Sequence, residues 1–495
     1  MHKEDGRPNV LFVVWDACRY DYAQEYASFL NELAASNVSF ENAIAPSPWS
    51  LPSHASIFTG EYPHEHGSNR FGNSIETPLV RELSDRGYTT YGVSANGFAS
   101  QRTGFDEDFD DFRYTGGRDR YVDGIDVSGT AQRILNRDGG TFGDAVAKIL
   151  GTIPYNDHRI KSIANLATVG LGEMATKFEG LQRIPHPVFA PTSDYSYTPE
   201  KNTSIIRSII SEHDDSEPFF LFTNYMDTHR CYKPNSERQQ QHIGQTLEYN
   251  ELVRLNEDVA APWQFETKKA LGELDETDIR TLRGLYAGEV ETVDHHLRKI
   301  YEALEEEGIL EDTLVIVTAD HGENLGETDE MECTRMGHEA SVSDAVLHVP
   351  LVMANPEFDT ESIDNEFSLE SLFNIFVSVA DSTDPSKAVF DSIPDSAVSQ
   401  YPATGGVEEK IGKYPDVPKE ILRYGASENA VVLYNDGCKV VVDSTGQQWT
   451  FNEHGTEVPN TLVSTAEEYL AALSSPSDDD LSDSQISQLE ALGYV

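Results

Sequence analysis

Short, fully apolar runs alternate with segments of helical period along most of the chain, and this alternation limits the fold more than any other feature. Asn9 to Trp15 reads as a strand buried on both faces. Tyr22 to Ala35 reads as the helix after it, with Tyr26, Phe29, Leu30 and Leu33 on one side. Pro78 to Arg86 leads as a helix into a strand at Thr89 to Ser94, and Thr203 to Glu212 leads into Phe219 to Asn224. A long helix from about Asp275 to Glu307 precedes the strand Thr313 to Thr318. Strands without polar alternation need cover on both faces, so the expected fold class is α/β: a large, mostly parallel sheet sandwiched by helices.

Two stretches break the rhythm. Thr103 to Glu200, rich in Gly, Asp and Tyr, and Tyr232 to Pro262, with its run Gln239 to Gln241, read as insertions near or over a site. After about Pro385 the pattern turns β-rich, with Ala430 to Tyr434 and Lys439 to Val442 as strands. The expected division is a main domain over 1–385 and a small antiparallel subdomain over 386–495. The polar run Ser474 to Asp480 reads as a linker. Ser482 then caps a terminal helix with Ile486, Leu489 and Leu492 on its apolar face.

The chain carries 85 acidic against 36 basic residues, a formal charge of −49 spread along its length. Such a field repels nucleic acid and anionic membranes, so nucleic acid is not an expected partner. Aromatics and repeated apolar runs argue for a folded protein with an acidic surface rather than disorder, and high salt would screen its self-repulsion. An anionic substrate then requires a locally positive pocket. No apolar stretch is long enough to span a bilayer, and Val10 to Trp15 is too short for the core of a signal peptide, so the expected location is the cytoplasm. Cys18, Cys231, Cys333 and Cys438 form no paired motif, and reduced thiols are expected.

Asp16 directly follows the first strand, at the carboxyl edge where open α/β sheets place ligands. The strand ending at Thr318 is followed by Asp320 and His321, then Gly322, Glu323 and Asn324. Two strand ends that deliver such side chains to one edge can hold a divalent cation between them. Between them in sequence lies Pro48 to Gly60. Pro52 suits the first turn of a helix, which puts Ser50 at its amino end, where free N–H groups and the dipole favour an anion. Coordination to a metal would lower the pKa of that serine and make it a nucleophile. His64 and His66 have metal-pair spacing but read as a turn after this helix, and His295 and His296 as non-catalytic positions in the long helix.

The segment Ser50, Pro52, Ser53, Ile57, Phe58, Thr59, Gly60 resembles the signature of the sulfatase family in the alkaline phosphatase superfamily. Asp16 with Arg19 and Asp21 looks like that family's first metal-binding strand, and Asp320-His321-Gly322 like its second. Asn224 to Pro234 is similar to its substrate-binding loop, with His229 on the histidine position. Gly337-His338, before His348-Val349-Pro350-Leu351, resembles a further sulfate-contacting stretch. His54 stands where the signature has the arginine sought by modifying enzymes, which argues against formylglycine at Ser50.

The resemblance implies an alkaline phosphatase-like fold and one metal held by Asp16, Ser50, Asp320 and His321. Mixed oxygen and imidazole ligation suits calcium, manganese or zinc, and the family favours calcium. Ser50, His229, His338 and His54 are the candidate catalytic residues, and Arg19, Lys233 and Arg335 the candidate substrate-binding cations, with Arg230 as a further source of positive charge. The expected activity is a metal-dependent sulfuric ester hydrolase acting on a sulfated sugar or small sulfate ester. A phosphoester hydrolase or phosphoglycerol/phosphoethanolamine-type transferase using unmodified Ser50 is the alternative, and a non-catalytic glycan-binding relative the third reading.

Overall fold

A computed structural model describes residues 7–473 except 71, 117–124, 126, 133, 135–140, 156–158, 178–197, 215, 258–264, 266–267, 270–271, 339–340, 357, 383–384, 391, 395 and 404–427. The terminal helix expected after Ser482 lies outside the described residues.

Strands β1 (Asn9–Trp15), β2 (Val38–Ile44), β3 (Thr89–Ser94), β4 (Asp111–Tyr114), β5 (Phe219–Tyr225), β6 (Thr313–Thr318), β9 (His348–Val349), β10 (Leu351–Ala354) and β11 (Glu361–Ser368) form one sheet. Between β6 and β9, β7 (Asn324–Thr328) and β8 (Thr334–Gly337) make a separate hairpin. The large sheet runs β11-β2-β10-β6-β1-β5-β3-β4, with β9 on β2. Pairings β6-β1, β1-β5, β5-β3 and β3-β4 are parallel, and β10 enters antiparallel between β2 and β6. The mostly parallel sheet read from apolar runs is thus present, and β1, β5 and β6 are buried along their whole length.

Helices cover both faces. The long helix Glu276–Glu306 opens with Asp275 accepting from the amides of Thr277 and Asp278, which satisfies orphan donors at its start. Its Leu282, Leu285, Val290, Val293 and Leu297 pack into the core. Inside this helix, buried Asp294 accepts from the amides of Phe29 and Leu30 at 2.9 Å each, capping a neighbouring helix from a distance. That cap accounts for a correction. The single helix expected over Tyr22 to Ala35 is two, Tyr20–Tyr26 and Ser28–Ala34, broken at Ala27, whose backbone leaves the helical region.

The stretch after Thr103 is corrected too. β4 pairs along β3 and completes the main sheet, so the departure begins only after Tyr114. Beyond it stand the helices Phe142–Thr152 and Arg159–Lys177. Within 232–262, helices Ser236–Ile243 and Tyr249–Glu257 lie against the long helix. A four-stranded antiparallel sheet follows: β12 (Ala397–Tyr401), β13 (Ala430–Asn435), β14 (Cys438–Asp443) and β15 (Gln448–Asn452), packed against helix Asn460–Ala472. Among the described residues, no helix is long and apolar enough to cross a membrane. All four cysteines are free.

Candidate active site

The register of the central strands sets the site. Val14 lies opposite Thr318 of β6 and opposite Asn224 of β5, and Asn224 opposite Ser94 of β3. Residues just past these points therefore emerge at one level of one edge. Asp16 and Asp320, each two positions beyond the Val14–Thr318 pair, become neighbours although 304 residues apart.

Asp16, Asp320 and His321 are fully buried, and each offers a ligand atom within 4.8 Å of the others. Surrounding hydrogen bonds decide which atoms those are. Asp320 Oδ1 accepts from the amides of Ala17 (3.1 Å) and His321 (3.0 Å), leaving Oδ2 with no hydrogen-bond partner. Asp16 Oδ2 accepts from Asn96 Nδ2 and from Ser50 Oγ (3.4 Å), leaving Oδ1 likewise without a partner. His321 Nδ1 donates to the Gly322 carbonyl at 2.9 Å, so its lone pair is on Nε2, which faces Ser50 Oγ at 3.2 Å. Two buried carboxylate oxygens without donors, beside an imidazole nitrogen lone pair, are costly alone and form a cluster that could hold a divalent cation. Burial raises the pKa of Asp16, and the charge of Asp320 adds to it. Burial acts the same way on Asp320, but His321 and His54 hold it below the usual range.

Ser50 opens the helix Ser50–Thr59, its extended cap at Trp49, as the placement of Pro52 predicts. The other signature residues hold this helix against the strand tips. Ser53 Oγ donates to the Asp320 carbonyl at 2.6 Å. Thr59 Oγ1 donates to Ala55 O at 2.7 Å, and Gly60 ends the helix in the left-handed region, where a Cβ would meet Phe373 at 3.0 Å. In the second motif, a Cβ on Gly322 would collide with the Ala345 carbonyl.

His54 is fully buried below Ser50. Its Nδ1 donates to the Ser50 carbonyl at 2.8 Å and lies 3.5 Å from Asp320 Oδ2, and its Nε2 lies 3.4 Å from Asn224 Nδ2. It therefore braces the turn that bears Ser50 from behind. His229 and His338 line the other side. Their ring centroids are 5.4 Å apart, and His338 lies 4.3 Å from the ring of His321. Burial lowers His229 to about 3, with His338 contributing, and lowers His338 to about 4, so both are neutral near pH 7. His229 Nδ1 donates to the Arg230 carbonyl at 2.8 Å, and His338 Nδ1 lies 3.2 Å from Glu323 Oε1. Each ring thereby keeps its Nε2 lone pair.

The candidate cations divide. Arg19 is spent on its surroundings: it pairs bidentately with Asp21 (2.8 and 2.7 Å), binds Glu327 and the Glu323 carbonyl, and stacks over Tyr22. Arg335 Nε lies 3.2 Å from Asp329. Arg230 Nη1 donates to Asn256 O at 3.1 Å, and the Lys233 amide donates to buried Glu289. His64 pairs with Gln400 and His66 with Ser56, and both lie in the short helix Pro63–His66 where a turn was expected.

Sequence reasoning missed several contributors. Asn96, on the loop after β3, reaches Asp16, and buried Glu323 joins His338 to the Tyr232 hydroxyl, 3.1 Å from Oε2. Thr228 donates to the Asp16 carbonyl at 2.6 Å. Tyr286 of the long helix donates to Ala17 O and accepts from the Arg19 amide, fixing the turn after β1. Glu323 had a usable signal in its place two residues after His321, whereas Asn96 had none.

Residues 8–382 match the family model described as Sulfatase. Among curated proteins, the chain is 24% identical to the multifunctional alkaline phosphatase superfamily protein PehA of Trinickia caryophylli over 348 residues, 65% of this chain and 64% of PehA. It thus spans slightly less than two thirds of that relative. It is 22% identical to the uncharacterized sulfatase YidJ of Escherichia coli over 424 residues, 82% of this chain and 74% of YidJ. Among solved structures, BT4656 in complex with its substrate D-glucosamine-2-N,6-O-disulfate aligns with a TM-score of 0.60 at 13% identity, covering 94% of this chain and 98% of that one. The phosphonate monoester hydrolase of Agrobacterium radiobacter aligns with a TM-score of 0.56 at 17% identity, covering 94% and 95%. At these identities the structural likenesses establish the fold.

Proposed function

Because the chain belongs to the sulfatase family, we propose that it is a metal-dependent sulfuric ester hydrolase that uses Ser50 as nucleophile on a sulfated sugar or small sulfate ester. The observation that carries this reading is the convergence of Ser50 Oγ with Asp16, Asp320 and His321 at one buried strand edge. Asp16 Oδ1, Asp320 Oδ2, His321 Nε2 and Ser50 Oγ would hold one divalent cation, calcium being favoured and manganese or zinc also suited. The cation would supply Lewis-acid stabilisation of the ester oxygens and a lowered pKa for the hydroxyl.

The chain's own residues do the rest. Asp16 Oδ2 accepts the Ser50 proton and orients Oγ toward the sulfur, with His54 fixing the backbone beneath it. As the sulfur–oxygen bond to the leaving group breaks, the departing oxygen needs a proton. That proton comes from solvent through His338: its free Nε2 takes it up from water and passes it on while Glu323 Oε1 stabilises the transient imidazolium, and water then hydrolyses the Ser50 ester to regenerate the serine. His229 lies beside it to contact a sulfuryl oxygen, and Lys233 and Arg335 are candidate cations around the anionic ester. The unmodified Ser50 expected from His54, together with the likeness to PehA and to a phosphonate monoester hydrolase, favours phosphoester hydrolysis as the second reading.

The test is turnover of an aryl sulfate against an aryl phosphodiester, in high salt with added calcium or manganese, alongside the mass of the peptide containing Ser50. Faster sulfate turnover supports the first reading. Preference for the phosphodiester with an unmodified serine supports the second, and a peptide two hydrogens lighter identifies formylglycine. A folded, metal-supplied protein inactive on both would support the glycan-binding alternative.

A further inference from the structure

β13 and β14 turn alternate residues to opposite sides. Val431, Leu433, Val440 and Val442 pack with Ala466 of the helix Asn460–Ala472, whereas Val432, Tyr434 and Val441 join the main core. Lys439 lies opposite Tyr434 in the β13–β14 register and therefore faces the main body. Its side chain is 7% exposed. Its Nζ donates to Asp344 Oδ1 at 2.7 Å, to the Val342 carbonyl at 3.3 Å and to Glu330 Oε1. The Tyr434 hydroxyl donates to the same Asp344 oxygen at 2.8 Å, and the Asp344 amide donates to Glu330 Oε1 at 3.1 Å.

The two carboxylates flank His338 in sequence. Glu330 lies in the turn between β7 and β8, and Asp344 opens the short helix Asp344–Leu347. One ammonium thus joins both ends of the segment 330–344. The carbonyls of Val346 and Ala345 in that helix accept from the amides of Gly322 (2.7 Å) and Glu323 (3.0 Å), directly after Asp320 and His321. Ser343 Oγ donates to Asn324 Oδ1 at 2.8 Å, and Asn324 Nδ2 donates at 2.6 Å to the carbonyl of Gly337, the neighbour of His338.

We infer that Lys439 is a positioning residue for the site at the strand edge. From a different sheet, it holds the segment bearing His338 and, through the helix Asp344–Leu347, the turn after His321. Without its ammonium, Glu330, Asp344 and the Val342 carbonyl would meet with no counter-charge, and their repulsion would open the segment. Catalytic geometry tolerates displacements of only about 0.5 Å. This deepens the proposed function and rests on it, so its test includes a measurement independent of turnover.

The test compares Lys439→Met, Lys439→Arg and the triple variant K439M/E330Q/D344N with the unaltered chain. K439M should lower kcat roughly 10- to 100-fold with little change in KM. The loss should shrink as salt rises, since screening weakens the repulsion. K439R and the charge-neutral triple variant should recover most of the rate. By hydrogen exchange, K439M should speed the amides of Gly322 to Asn324 and Ser341 to Leu347 while leaving β1 and β5 unchanged, whether or not any ester is turned over. Unchanged exchange at those two segments overturns the inference. So does a salt-insensitive loss accompanied by faster exchange throughout the protein, which marks a merely structural lysine.

Discussion

At the carboxyl edge of the large sheet, Asp16, Asp320 and His321 are fully buried, and two of their carboxylate oxygens meet no donor. The outer face of the four-stranded sheet is also buried, but chiefly by Val431, Leu433, Val440 and Val442, whose hydrocarbon side chains carry no polar group to satisfy. The first region concentrates like charges out of water and persists because rigid strands and the serine helix hold it together; the second contributes stability through hydrocarbon burial. Destabilised chemistry and stable scaffold thus occupy separate sheets, joined on the other face of β13 and β14 by Lys439.

That contrast can be broken at either end. The largest effect is expected from Ser50→Ala, which should cut kcat/KM by roughly 10^3-fold or more while leaving the melting temperature nearly unchanged. Leu433→Ala should do the reverse: about 2–5 kcal/mol of stability lost, seen as a lower denaturant midpoint, with kcat and KM preserved under folding conditions. If turnover falls with L433A as it does with S50A, the two regions are not separable.

A smaller effect tests the cost at the strand edge. With EDTA present, Asp16→Asn should raise stability by about 1–2 kcal/mol, measured by calorimetry, because it removes a buried charge beside Asp320 and keeps an acceptor for Asn96. Activity should be lost in the same variant.

The smallest effect concerns Glu370, where the body meets the small sheet. Burial raises its pKa, and its Oε1 accepts from the Tyr62 hydroxyl at 3.0 Å. A carboxyl whose folded pKa lies above its unfolded value binds its proton more tightly when folded. Its cost is absent below the unfolded value, near 4.3, and grows as pH rises toward the folded one. Glu370→Gln keeps the acceptor, so its melting temperature should exceed that of the unaltered chain at pH 7.5 and approach it at pH 4.5. A gap of equal size at both pH values would reject the assignment.

Much of this was legible beforehand, because strands buried on both faces must be largely apolar, and β1, β5 and β6 announce themselves that way. Ser50 with Pro52 and the Thr59-Gly60 stop is a local backbone arrangement, so it too is written in adjacent residues. The break at Ala27 was not, since the cap beside it comes from Asp294, more than 260 residues away.

The sequence by itself determined that β1, β3, β5, β6, β13 and β14 become strands, where the serine helix starts, and which side chains can ligate a metal, all consequences of local periodicity and side-chain chemistry. Only the tertiary structure decided that Asn96 touches Asp16, that Glu323 backs His338, that Arg19 is engaged by Asp21 and Glu327, and that Lys439 reaches across from another sheet. Those pairings follow from strand order and register, which depend on how distant segments pack together and leave no periodic trace within any one of them.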